Sequence, residues 1–154
     1  MAGRLIAVAI DEPTGAVADT PIEEERCIAV HDLVAGNLFS PGGADGEFRL
    51  AVSASGDSIV FSVATRDGAP VDRFDVSLTP LRGLIRDYML VCDSYRKGLA
   101  TLRPEQIEAI DMGRRGLHND GAEVLMDQLS ARVDVDHDTA RRLFTLVCAL
   151  QART

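Results

Sequence analysis

Residues 107–123 read IEAIDMGRRGLHNDGAE. Arg114, Arg115, His118 and Asn119 sit there between apolar positions spaced as in a helix. A guanidinium offers a planar fork that suits carboxylate or phosphate. An imidazole can donate a hydrogen bond or act as general acid or base near neutral pH. The chemistry this implies is capture of a small anion, a nucleotide or phosphorylated metabolite, with Asp111 and Glu123 as orienting acids. Gly113 and Gly116 would let a ligand or another backbone come close.

On a 100° wheel Ile107, Ile110, Leu117, Gly121, Val124 and Leu125 share one face. Asp111, Arg114, Arg115 and His118 then line one border of that buried stripe. Asp111 precedes Arg115 by four residues, the favourable order for a helical ion pair. The same groups also describe an internal network in which Arg and His pair with nearby acids and carbonyls and the glycines permit tight helix packing. Both readings stand. Asn119-Asp120-Gly121 is a turn signal, and Asp120 with Glu123 reads as a cap and its partner. A break there would place a helix N-terminus, which favours anions, beside His118. The apolar stripe stays in phase from Ile107 to Leu129, so one continuous helix is expected.

Other chemistry is weaker. Asp134, Asp136, His137 and Asp138 could hold a divalent cation, but acids before a helix are better explained as N-terminal caps. The spacing does not match a calcium loop, and no metal site or cofactor is expected. Tyr88, Cys92 and Tyr95 share the apolar face of their helix and read as core. No base accompanies Cys92 in a recognisable arrangement. His31 falls near a helix end. Arg141 and Arg142 follow Asp138 at i+3 and i+4 and read as a solvated helix pair. The three cysteines, Cys27, Cys92 and Cys148, lie far apart in apolar helical patterns. They read as small buried hydrophobes in a reducing compartment.

The elements that must position these groups follow from periodicity. Arg4–Asp11 is a compact apolar strand. Glu12–Asp19 reads as a loop, and Thr20-Pro21-Ile22-Glu23 as the capped start of a helix running to about Leu33. Ala35–Glu47, rich in Gly and Pro, reads as a loop. Phe48–Ser53, Ser58–Thr65 and Val71–Leu78 are strands joined at Ser55-Gly56-Asp57 and Asp67-Gly68, which predicts an antiparallel meander with the first strand at one edge. From Pro80 the period changes to 3.6. One helix carries Leu81, Leu84, Ile85, Tyr88, Cys92 and Leu99, a second starts at Pro104, and a third spans roughly Asp138–Ala152 after an extended piece at Arg132–Val135. The expected fold is α+β: N-terminal strand and helix, three-stranded meander, then a three-helix unit on the sheet.

The chain has 154 residues, enough for one domain, residues 1–154, with one conventional core. It is 46% hydrophobic and 26% charged, with 5% aromatics and no Trp, so the core must be mostly aliphatic. The net charge of −8 argues against nucleic acid, whose phosphates are met by Lys and Arg, and against anionic membranes. Arginine supplies nearly all of the 16 basic residues, so a local basic patch remains open. Leu5–Ile10 is too short for a signal peptide or a membrane span, which implies a cytoplasmic protein.

SLTPLRGLIRDYMLVCDSY, IEAIDMGRRGLHNDGAE and DTARRLFTLVCAL together resemble a bacterial family of uncharacterised proteins found mainly in alphaproteobacteria. The resemblance covers essentially the whole chain and is densest from Ser77 onward. It implies a short cytoplasmic bacterial protein and supplies no activity, cofactor or catalytic residue. Without a recognised catalytic constellation, the leading expectation is a non-catalytic interaction or regulatory protein with a protein partner, or a homo-oligomer pairing through the C-terminal helices. The alternative is a small-anion domain or enzyme using Arg114, Arg115 and His118. Whether the chain is an enzyme stays open.

Overall fold

A computed structural model describes residues 2–11 and 20–151, with the side chains of Asp11 and residues 20–23 outside the description. The expected loop Glu12–Asp19 lies outside the described residues, as do the side chains of Thr20 and Glu23 on which the expected cap depends.

The element order is β1 (Gly3–Asp11), α1 (Thr20–Ala35), β2 (Phe39–Pro41), β3 (Gly46–Ser55), β4 (Ser58–Thr65), β5 (Pro70–Ser77), α2 (Arg82–Gly98), α3 (Pro104–Leu129), β6 (Val133–Val135) and α4 (His137–Gln151). The class is α+β as the periodicity predicts. The main sheet runs β1-β3-β4-β5, and β2 pairs with β6 in a separate two-stranded sheet. β3, β4 and β5 form the antiparallel meander, and β1 joins its edge parallel to β3. Gly56 takes φ +59° at the first position of the two-residue β3–β4 turn, a conformation only glycine adopts freely.

Alternation along the strands sends one set of side chains inward. Phe48, Leu50, Val52, Ile59, Phe61, Val63, Phe74 and Val76 are all buried, and Phe61 stacks on Phe74 at 5.5 Å. The helices cover this face. Ile85, Tyr88 and Cys92 of α2, Leu125 and Leu129 of α3, and Leu143, Phe144, Leu146, Val147 and Leu150 of α4 complete the core. The first helix joins this layer by packing on α4, and its Ala29 and Leu33 are buried.

Both edges of the main sheet are closed by a side-chain amide. Asn37 accepts from the Leu5 N–H at 2.7 Å and donates to the Leu5 carbonyl at 3.0 Å. Gln128 accepts from the Ser77 N–H and donates to the Ser77 carbonyl, each at 2.9 Å. Each amide imitates the neighbour strand that an edge lacks, and so removes a site of edge-to-edge pairing.

Three expectations need correction. Ala35–Glu47 is not all loop, because it contains β2, whose Phe39 and Ser40 are buried against β6. Cys27 is exposed, whereas Cys92 and Cys148 are buried as expected. Of the three glycines in the polar segment only Gly121 marks close packing: a Cβ there would collide with the Phe144 ring, while one at Gly113 or Gly116 would meet nothing within 4 Å.

Candidate functional site

The third helix starts where Pro104 takes its first position and the Gln106 side chain reaches back to the Arg103 N–H at 3.1 Å. It runs unbroken through Asn119-Asp120-Gly121. In-phase burial of Gly121, Leu125 and Leu129 outweighs the local turn signal, so there is no helix N-terminus beside His118. α4 starts after Asp136, whose carboxylate accepts the Thr139 N–H at 2.9 Å, the capping expected of that acidic run. The Thr139 hydroxyl accepts the Leu38 N–H at 3.0 Å. The Arg142 guanidinium donates to the Gly36 carbonyl at 3.2 Å. These contacts bring the N-terminal end of α4 to the C-terminal end of α1.

A cleft of about 350 Å³ opens where the four helices meet. One wall is α1, which contributes Glu25, Ile28, Ala29 and Asp32. The facing helix α4 contributes Asp138, Arg141, Arg142 and Thr145. Both sets follow i, i+3, i+4, i+7, the spacing of one helix face. Arg114 and His118 from α3, one turn apart, and Tyr88 from α2 complete the lining.

His118 is fully engaged. The Thr145 hydroxyl donates to the Arg141 carbonyl at 3.2 Å, so its oxygen is left to accept the His118 Nε2–H at 3.0 Å. His118 Nδ1 then accepts the Arg141 Nε–H at 3.3 Å. These bonds define the neutral Nε2–H tautomer. The ring stacks on Tyr88 at 5.2 Å and tilts against Phe144 at 5.9 Å. Burial, reinforced by the Arg141 charge, pushes its pKa down to about 4. At neutral pH it is therefore an uncharged strut holding Arg141, with no free nitrogen for proton transfer.

Asp111 is shared by two arginines. Arg114 reaches it through Nε at 3.0 Å and Nη2 at 2.5 Å, and Arg115 at 2.6 Å. The Arg114 hydrogen bonds, opposed by partial burial and aided by Arg115, hold its carboxyl below the usual range. Arg114 also lies over the Tyr95 ring at 5.1 Å. Arg115, 66% exposed, points away to solvent. Asn119 is half-buried and Glu123 exposed, and neither lines the cleft. Of the six residues singled out in the sequence, Arg114 and His118 line the cleft, Asp111 orders Arg114 behind it, and the other three stand outside.

The cleft adds residues that the sequence did not single out as a site. Arg141 and Arg142 are half-buried rather than a solvated pair. Arg141 meets Asp138 only loosely, at 4.0 Å. Glu25 is held up in pKa by burial, against the pull of Arg96 and Arg114. The i, i+3, i+4, i+7 pattern was readable on both helices, but only their packing against each other turns it into two walls.

Burial pushes the Cys92 thiol up, despite its hydrogen bond with Tyr88, away from the thiolate that a nucleophile needs. His31 is exposed on α1 and borders a groove with Cys27, outside the cleft. Among the described residues no helix is long and apolar enough to cross a membrane.

A model described as an uncharacterised protein family, UPF0262, matches residues 2–153. A UPF0262 protein of Agrobacterium fabrum is 49% identical over 152 residues, covering 97% of this chain and 96% of its own. One from Mesorhizobium japonicum is 49% identical over 154 residues, 97% of this chain and 94% of its own. One from Nitrobacter winogradskyi is 47% identical over 148 residues, 96% of this chain and 89% of its own. All three sources are alphaproteobacteria, as the resemblance implied. No solved structure matches the chain.

Proposed function

The chain belongs to the uncharacterised protein family UPF0262, and we propose that it works in the cytoplasm as a non-catalytic interaction or regulatory protein. The observation that carries this reading is the state of His118. Both ring nitrogens are bonded, to Thr145 and Arg141, and the ring is neutral. The group best suited by type to move a proton is thereby committed to holding an arginine in place. The acidic surface, net −8, favours basic partners and disfavours nucleic acid. The test is a pull-down from native lysate of an alphaproteobacterium with the intact chain as bait. Reproducible recovery of one protein, or of the chain itself as a homo-oligomer, supports the reading. Failure to recover any reproducible partner counts against it.

A second reading is favoured by the cleft itself. Arg114, Arg141 and Arg142 project from α3 and α4 into one space of about 350 Å³, the size range of small-molecule sites. In this reading the protein binds a small anionic ligand there, and the ligand is what it reports to its partner. Thermal-shift screening with nucleotides and phosphorylated metabolites tests it. A stabilising ligand whose effect is lost in Arg141→Gln supports it, and a flat screen removes it.

A further inference from the structure

The cleft has a charge arrangement that a simple anion does not use. Its α1 wall carries two carboxylates, Glu25 and Asp32, and no base. The opposite wall carries Arg114 from α3 and Arg141 and Arg142 from α4. Asp138 is the one acid that lines that side, and Asp111 behind it pairs with Arg114. Asp138 sits in the first turn of α4, 71% exposed and turned toward Arg141. Among the described residues no ion pair crosses from Glu25 or Asp32 to any of these arginines. Two walls of opposite sign therefore face each other without a direct ion pair between them.

The donors are also presented selectively. Arg141 spends its Nε–H on His118, which leaves the two-nitrogen end of its fork for a carboxylate. Arg142 spends one Nη on the Gly36 carbonyl. Between Glu25 and Asp32 on α1 lie Ile28, 60% exposed, and Ala29, an apolar step between two acids.

We propose that this cleft binds a free amino acid as a zwitterion, its carboxylate on Arg141 and Arg142, its ammonium between Glu25 and Asp32, and an aliphatic side chain against Ile28 and Ala29. The proposal rests on the second reading, that the cleft takes a small ligand through its arginines, and adds the cationic half that α1 supplies. A ligand with both charges completes both walls at once. A ligand with one charge leaves the other wall's charges unanswered.

The test is titration calorimetry on the full chain with the free L-amino acids taken one at a time. Three controls accompany them: the matching α-hydroxy acids, which keep the carboxylate and lose the ammonium; the matching primary amines, which lose the carboxylate; and inorganic phosphate. The expected result is that an aliphatic amino acid binds and that both single-charge analogues bind at least about tenfold more weakly, the scale of one lost charge-assisted hydrogen bond. Asp32→Asn should weaken the amino acid by a similar factor and leave the hydroxy acid unchanged. Arg141→Gln should weaken both. If Arg141→Gln does not fold, the Asp32→Asn comparison and the analogue series still decide the question. Equal binding of the hydroxy acid, or binding of phosphate alone, overturns the zwitterion and leaves the anion reading in place. Equal binding of the amine alone overturns both. Binding of none of these compounds overturns the zwitterion, and with a flat phosphorylated-metabolite screen it removes the cleft as a ligand site altogether.

Discussion

The Nε–H of Arg141 donates to Nδ1 of His118 at 3.3 Å. The two residues come from different helices, α4 and α3. Only a neutral imidazole can accept that bond, because an imidazolium carries hydrogen on both nitrogens. The arginine's place in the cleft and the histidine's protonation state are thus one property, and Thr145 fixes it from the other side of the ring.

This pairing predicts a pH dependence. The His118 pKa is about 4 when folded, against 6.5 for an ordinary histidine. Between those values the unfolded chain holds more protons than the native one, so stability rises with pH there. The contribution is complete above about pH 6.5 and is lost as pH falls toward about 4. Burial acts most strongly in this direction, joined by the charges of Arg141, Arg114 and His137, although the Arg141 backbone opposes them. Urea denaturation across this range should show the loss, and His118→Gln should be less stable at neutral pH with a flatter profile. The difference between the two proteins isolates the histidine from Glu25, whose raised pKa runs the other way. Parallel profiles would mean that His118 does not titrate with folding.

The glycines of α3 should respond in opposite directions. Gly116 lies in open space on an exposed helix surface, so Gly116→Ala should gain about 0.5–1 kcal/mol from helix propensity. Gly121 faces the Phe144 ring, and Gly121→Ala should lose about 1–3 kcal/mol through overpacking. Thermal melts of the two variants check both signs. A destabilised Gly116→Ala would point to a neighbour that the fold alone does not supply.

The edge amides are structural rather than decorative. Asn37→Ala removes a side chain bonded to the Leu5 N–H and to the Leu5 and Leu33 carbonyls. Leaving such half-buried groups without partners should cost about 1–3 kcal/mol. It also opens the β1 edge, so light scattering near the melting temperature should show faster aggregation than wild type.

Much of this fold was legible because the apolar period is unambiguous. β4 matches its expected span, Ser58–Thr65, and α3 is continuous as its period predicts, because Leu125 and Leu129 stay in phase with Ile107. The missed strand is Phe39–Pro41. It is three residues long, ends in proline, and exists only because Val133–Val135 arrives beside it from the far end of the chain. No local signal encodes that meeting.

The site was half legible for a related reason. Arg114 and His118 stood out by interrupting an apolar helix. Arg141 and Arg142 interrupt nothing, since they occupy the polar side of α4 and become half-buried only when α1 lies across them. Cys27 differs in the opposite way: it is apolar by type, but it falls off the face marked by the buried Ala29 and Leu33.

The central claim is that His118 is a neutral strut of the four-helix cleft and not a proton carrier. The most direct measurement is the imidazole nitrogen spectrum of the full chain by NMR, followed from pH 8 downward. The neutral Nε2–H tautomer should persist through pH 6, with titration only near about 4. A ring that titrates at 6.5 or above, or that carries its proton on Nδ1 at neutral pH, would contradict the claim.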